Sequence, residues 1–347
     1  MAGYALKTPT LVKEVMEEYG SIAQKALMSF LPDREPRRYL YDLIRDYPQR
    51  GGRAMRPAIC MATARAHGAP LERTLNTATF IELLHNALLV IDDIQDESDE
   101  RRKKPTLHRL HGVPVALNVG STMTTLSLVP LLQNVDSCGP FLSLRLFQRA
   151  IEVAQQCAEG QSLELGWRLD NLLEVTEADY LNMVLRKTCS YSTVFPIRAG
   201  VMIATGAPDG SDAALRYGFL LGAAFQIQDD VLNIAGDHAQ YGKEHAGDLL
   251  EGKRTLLTCR LMSCATPDEK TFAHRFLGTP RAGKSARDLE RMLGLIEKYD
   301  CVEYARRYAQ GLVGAALHDF DAGFEHLPAS RDKEFLRGLS TWIIEQT

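Results

Sequence analysis

An all-α fold is what this sequence predicts, and three observations predict it. Apolar residues recur at helical spacing along nearly the whole chain, no β-branched alternation competes, and the breakers between periodic stretches are short. In residues 73–96, Ile81, Leu84, Leu88 and Ile91 follow one another at steps of three and four. The stretches 11–30, 141–169, 177–205, 212–234, 267–277, 285–299 and 332–345 read the same way. Pro32-Asp33, Gly51-Gly52, Cys138-Gly139-Pro140, Pro208-Asp209-Gly210 and Gly278-Thr279-Pro280 break the pattern between them. Thr266-Pro267 reads as a helix cap followed by a first-turn proline, and Ser285 with Asp288 marks another start. No repeat, low-complexity segment or long linker divides the chain, so residues 1–347 are expected to form a single large helical domain.

The 347 residues are 45% apolar and 24% charged, enough to bury a large core. Net charge is -4 with both signs mixed along the chain, so no basic block suggests nucleic acid. Seven scattered cysteines form no CxxC pair, and the Cys259/Cys264 spacing matches no common zinc site. They read as buried, reduced thiols. The N-terminus lacks a signal-peptide pattern and no run of about 18 apolar residues suggests a bilayer span, so a cytoplasmic protein without a membrane span is expected.

Chemistry concentrates at two places. Asp92, Asp93 and Asp96 close the apolar run Ala87-Leu88-Leu89-Val90-Ile91, and Arg101-Arg102 follow. Three carboxylates within one helical turn repel one another, and the apolar run argues for burial. A cation relieves that repulsion, and hard oxygen donors suit Mg²⁺ shared with substrate phosphates. The arginines would supply forked donors to those phosphates. Taken alone, the segment also reads as a solvated acidic helix end. A second cluster, Asp229-Asp230 after Phe225-Gln226-Ile227-Gln228, again ends an apolar helix. Lys243, Asp248, Lys253 and Arg254 lie downstream. Two such helix ends facing across a cavity would hold a diphosphate between metals and lysines, with a hydrocarbon running down the apolar helices.

These two regions resemble the aspartate-rich motifs of trans-isoprenyl diphosphate synthases, the polyprenyl synthetase family. Gly51-Gly52-Arg53-Ala54-Met55-Arg56-Pro57 resembles the family's GGKxxRP segment, and His85, Pro105-Thr106-Leu107-His108, Gly160-Gln161 and Lys187-Thr188 fall in order. The resemblance spans residues 40–345 and implies roughly a dozen helices around a central cavity, usually in a homodimer. It implies that isopentenyl diphosphate is joined head to tail to an allylic diphosphate (dimethylallyl, geranyl or farnesyl). Asp92, Asp96 and Asp229 would ligate Mg²⁺, three ions with substrate bound, supported by Asp93, Asp230 and Asp248. Arg101, Lys187, Gln226, Lys243 and Lys253 would hold the allylic diphosphate, and Thr188 would line the reacting centre. Gly52, Arg53, Arg56, His85 and Arg102 would hold isopentenyl diphosphate.

Three departures stand out. Arg53 replaces a lysine, which keeps the charge but not its geometry. Asn233 replaces the last aspartate of the second motif, leaving an amide oxygen to accept from metal-bound water. Lys103-Lys104 follow Arg102 where the family commonly has glycine, so this loop is expected to differ.

Other features read as ordinary structure. Gly278–Ser285 fits the pattern GxxxxGK[ST], but it lies between two helices rather than after a strand, which argues against nucleotide binding. His108 and His111 have no matching carboxylate for a metal site, and Trp167 and Trp342 read as core or interface. A class I terpene cyclase would need no second diphosphate site, and a non-catalytic subunit would be expected to lose carboxylates or lysines. Product length is read from the helix wall below Asp92. At about 1.5 Å per residue, Ala87 and Leu88 lie about 6–7.5 Å beneath it. Neither is aromatic, and Leu84 and Met123 are candidates for a deeper floor. His85-Asn86-Ala87 and Gly160-Gln161 with Trp167 resemble geranylgeranyl diphosphate synthases, which implies a twenty-carbon product. Farnesyl or longer products are the alternatives.

Overall fold

The computed structural model describes residues 8–207, 209–236 and 245–345. Among the described residues the regular structure is helical, apart from one short hairpin. Its helices are α1 (Thr8–Phe30), α2 (Asp42–Gln49), α3 (Met55–Ala66), α4 (Leu75–Gln95), α5 (Leu107–His111), α6 (Val113–Cys138), α7 (Pro140–Leu169) and α8 (Glu177–Val184). They continue with α9 (Phe195–Thr205), α10 (Asp212–Ala235), α11 (Gly247–Glu251), α12 (Leu256–Cys264), α13 (Pro267–Gly278), α14 (Ala286–Lys298), α15 (Cys301–Phe324) and α16 (Arg331–Ile344). The expected starts are present. Thr266 and Glu269 form a capping box, and Ser285 Oγ accepts from the Asp288 N–H at 3.1 Å.

Helices α2, α3, α5, α6, α11, α12 and α15 lie outside the stretches that apolar spacing marks. α15 shows why. It meets α10 through Ala305, Ala309, Val313, Ala316 and Phe320, where small residues allow close approach and leave little leucine periodicity to detect. α4 lies against α6 along most of its length, and α3 packs on α9.

No run of 18 wholly apolar residues is present, yet two helices are long and apolar enough on average to cross a membrane. By length and composition, Leu71–Gln95 and Val113–Cys138 both suffice, because average hydropathy stays high despite interspersed polar residues. The first is a core helix, 72% buried over its most apolar window.

The stretch 177–205 is helical throughout, but Leu185–Val194 forms a π-helix between α8 and α9. Pro196 follows at the start of α9. Proline donates no backbone hydrogen bond and crowds the carbonyl four residues back, so a continuing helix must adjust its winding there. Gly160 of α7 lets this π-segment approach. A Cβ at Gly160 would sit 2.3 Å from the Lys187 backbone nitrogen.

Candidate active site

α4 and α10 both line one cavity of about 860 Å³, and each brings aspartates to it. Asp92, Asp229, Asp230 and Asp248 line it, together with Arg101, Lys187 and Lys253. Apolar side chains from α4, α7 and α8, including Leu84, Leu88, Ala154 and Met183, form the wall below.

The three carboxylates of the first cluster have different surroundings. Asp92 faces the cavity, with Lys187 Nζ at 3.3 Å and Arg101 Nη2 at 3.6 Å. Asp93 turns into the protein, where it accepts from the Tyr47 hydroxyl at 2.5 Å and from both Arg101 Nε (2.9 Å) and Nη2. Burial raises its pKa, and Arg101 works against that rise. Asp96 is 2% exposed and off the cavity wall, held by Arg168 Nη1 at 2.6 Å and Lys253 Nζ at 2.7 Å. As a metal ligand it would first have to exchange one of these cations.

The second cluster is held by hydrogen bonds within α10 and from α8 and the π-helix. Gln226 Nε2 donates to Asp230 Oδ1 at 2.9 Å and its carbonyl accepts from Thr188 Oγ1 at 2.9 Å. Tyr180 donates to the other Asp230 oxygen at 2.6 Å. Burial first, then neighbouring Asp248, pushes the Asp230 carboxyl up to about 8. The Asn233 amide oxygen accepts from the Asp248 backbone N–H at 3.1 Å and so helps position the next carboxylate.

Lys187 and Lys253 are buried ammonium groups kept charged. Burial opposes the charge, but Glu164 and Asp92 outweigh it at Lys187, and Asp96, Glu251 and Asp248 do so at Lys253. Glu164 (2.9 Å from Lys187), Glu251 (2.6 Å from Lys253) and Arg168 escape the sequence reading. The available signal for two of them was the charged i, i+4 pair Glu164 and Arg168 on α7.

A second cationic group lines the other side of the cavity. Arg56 donates from Nε to Ser192 Oγ (3.0 Å) and from Nη2 to the Tyr191 hydroxyl (3.2 Å), and its Nη1 lies 3.4 Å from His85 Nε2. Burial, then Arg56 and Arg102, holds His85 well below the usual histidine range, so it stays neutral. Arg102 donates to Tyr47 O at 3.0 Å and Asn86 Oδ1 at 3.4 Å. Gly52 admits it, since a Cβ there would lie 2.8 Å from Arg102 Nη2. Arg53 lines the cavity and stands over the Trp342 ring at 5.6 Å.

The loop expected to differ is a tight hairpin, with β1 (Glu100–Arg101) paired to β2 (Lys104–Pro105). Its two central residues, Arg102 and Lys103, have φ of +54° and +61°. A two-residue hairpin loop favours such conformations, and glycine fits them without strain, whereas an L-residue there costs about 1–2 kcal/mol.

Two candidates for the chain-length floor need correction. Ala87 and Met123 do not reach the cavity. Both are buried in the core between α4, α6 and α2, beside Leu83, Val90 and Val119. The reason is rotational: at 3.6 residues per turn, a position five before Asp92 falls about 140° around α4 from it. Leu84 and Leu88 do line the wall, joined by Leu89 and by Thr124 of α6. Lys243 lies outside the described residues. His108 has both ring nitrogens buried without a hydrogen-bond partner, and Trp342 is core.

The donor set suits magnesium. Asp92, Asp229 and Asp248 bring hard oxygens to one cavity. Among the described residues no three side chains form a ready-made cage. Mg²⁺ typically takes one or two carboxylates, with waters and substrate phosphates completing its shell.

Comparison with known proteins agrees with this geometry. The polyprenyl synthetase family matches over residues 37–296. A geranylgeranyl diphosphate synthase of Saccharolobus solfataricus is 34% identical over 78% of this chain and 79% of its own. A geranylgeranyl pyrophosphate synthase of Geoglobus acetivorans is 29% identical over 97% and 99% of the two chains. The crystal structure of geranylgeranyl pyrophosphate synthetase from Pyrococcus horikoshii superposes with a TM-score of 0.84, at 27% identity, over 97% of this chain and 99% of that one. With the family matched from the second helix to the fourteenth and the fold shared end to end, this chain belongs to the polyprenyl synthetase family.

Proposed function

We propose that the chain is a magnesium-dependent prenyltransferase that condenses isopentenyl diphosphate with an allylic diphosphate to give geranylgeranyl diphosphate. The observation that carries this reading is one cavity with two separate cationic groups above a shared apolar wall. A cyclase, with one substrate, needs only one. Arg56, Arg102 and neutral His85, with Gly52 and Arg53, would bind isopentenyl diphosphate. Arg101, Lys187 and Lys253 would bind the allylic diphosphate, joined by Lys243.

Asp92, Asp229 and Asp248 would hold the ions, three with substrate bound, and Asp96 would join by giving up Lys253 or Arg168. When bound, Mg²⁺ supplies electrostatic stabilisation of the departing diphosphate. The lysines and Arg101 share that charge from fixed positions. The bond from the allylic carbon to oxygen breaks with its electron pair leaving on diphosphate. The isopentenyl double bond supplies the pair for the new carbon–carbon bond, and one proton passes to the released diphosphate. The Thr188–Gln226 pair borders the reacting carbon, and the apolar wall keeps water from the cation. Incubating the purified chain with labelled isopentenyl diphosphate, allylic primers and Mg²⁺ tests the reading. Failure to form a longer all-trans diphosphate would refute it.

The two sides are separable by kinetics. Arg56→Ala is expected to raise the Michaelis constant for isopentenyl diphosphate, and Lys253→Ala that for the allylic partner. A charge-assisted contact is worth about 1.5–3 kcal/mol, or roughly 10- to 150-fold. Equal effects of both variants on both substrates would contradict the division.

Product length rests on the wall positions. Leu88→Phe places a ring in the cavity and is expected to shorten the product by at least one isoprene unit. Ala87→Phe is expected to leave the product unchanged while destabilising the fold by about 1–3 kcal/mol through overpacking. Product chromatography and denaturant unfolding of the two variants check this, and the reverse pattern would place the floor on the other face of α4.

Homodimerisation belongs to the same reading. Exposed Leu117, Leu132 and Val135 of α6 and Leu144 of α7 give these helices an apolar outer face, and α6 is only 39% buried over its most apolar window. Light scattering of the purified chain tests it. A cytoplasmic setting is supported by seven free cysteines and is checked by fractionation.

A further inference from the structure

The segment Gly278–Ser285, excluded as a nucleotide loop, reaches the site from behind. Lys284 Nζ donates to the carbonyls of Leu249 (3.0 Å) and Leu250 (2.7 Å) and stands 5.0 Å from the Phe276 ring centre. Those carbonyls belong to α11, a single turn; Leu249 O also accepts from the Gly252 N–H at 3.2 Å, and the ammonium adds a donor to both at the carbonyl end of the turn. Asp248 is the second residue of this turn, and Lys253 follows two residues after its end. The Lys253 backbone N–H returns to Asp248 O at 2.9 Å, and the Lys253 ammonium joins Asp96, Asp248 and Glu251. Gly252 between them has φ +75°, and a Cβ there would meet the Leu277 carbonyl at 2.4 Å. The end of α13 and the loop after it therefore press directly on the turn that aims both charged groups.

We propose that Lys284 is a positioning residue for the allylic-diphosphate side of the site, acting by capping the α11 turn that carries Asp248 and orients Lys253. A cation at the carbonyl end of a helical turn satisfies orphan acceptors and opposes the backbone dipole. An ordinary surface lysine would sit elsewhere. Burial first, then the neighbouring Arg168 and Arg254, lowers this ammonium to about 8, so it is held among other cations by the carbonyls it serves. Arg281 reinforces the contact, 3.8 Å from Glu251.

The proposal rests on the reading that Asp248 and Lys253 serve the allylic partner, so Lys253→Ala is measured alongside. Lys284→Met, which keeps the length and removes the charge, is expected to raise the allylic Michaelis constant about tenfold. The constant for isopentenyl diphosphate should stay within about twofold, and Lys284→Arg should restore most of the loss. Thermal unfolding of each variant is recorded, because a merely structural lysine would lower the melting temperature without separating the two constants. Unchanged constants in Lys284→Met, or an equal rise in both, overturn the positioning role. If Lys253→Ala itself leaves the allylic constant unchanged, the underlying assignment fails and this proposal falls with it. Should Lys284→Met not fold, Lys284→Gln is held to the same outcomes.

Discussion

Asp229→Ala and Asp92→Ala are each expected to cut turnover by at least 10²–10³-fold while leaving the fold intact. Both carboxylates line the cavity, and neither belongs to the apolar clusters that hold the helices together. Removing one group that stabilises a leaving group's developing charge costs that much where other groups remain in place. Asp92 has a second role that sharpens the test. It is one of two carboxylates beside Lys187, and Glu164 at 2.9 Å remains when it is removed. Lys187 therefore keeps a partner, and the loss in Asp92→Ala reports on the missing carboxylate. Steady-state turnover and circular dichroism of the two variants check the expectation. Near-normal activity in either one would sink the assignment.

Much of the fold was legible, and the parts that were not have physical causes that differ from place to place. Apolar spacing located both aspartate-bearing helices because leucine and isoleucine mark their buried faces. It missed α15, whose contact with α10 is made largely by alanines, with Val313 and Phe320. The clusters themselves were legible because carboxylates at the end of apolar runs are costly without cations. Which carboxylate faces the cavity was not. Asp92 and Asp93 are neighbours in sequence but differ by about 100° around the helix, and the axis rotation depends on how α4 settles against α2 and α6. The same rotation removes Ala87 from the wall. Glu164, Arg168 and Glu251 stayed hidden because each is charged, and a charged residue in a helix reads as solvent-facing until burial is known.

The second large effect concerns stability, and it separates residues that the motif groups together. Asp93→Ala is expected to destabilise the protein by about 3–5 kcal/mol, far more than Asp92→Ala. Asp93 is fully buried and is the main partner of Arg101, itself 8% exposed. Removing it leaves a buried guanidinium whose remaining carboxylate, Asp92, is 3.6 Å away, and it strips the Tyr47 hydroxyl of its acceptor. Arg101 cannot relieve the strain by losing its proton, because arginine holds it above any accessible pH. Asp93→Asn should fall between, since an amide still accepts from Tyr47 but no longer balances the charge. Urea unfolding midpoints of the three variants measure the order. If Asp92→Ala proved as destabilising as Asp93→Ala, the pairing of Asp93 with Arg101 would not be what anchors the hairpin, and the motif's second carboxylate would have to be placed with the first.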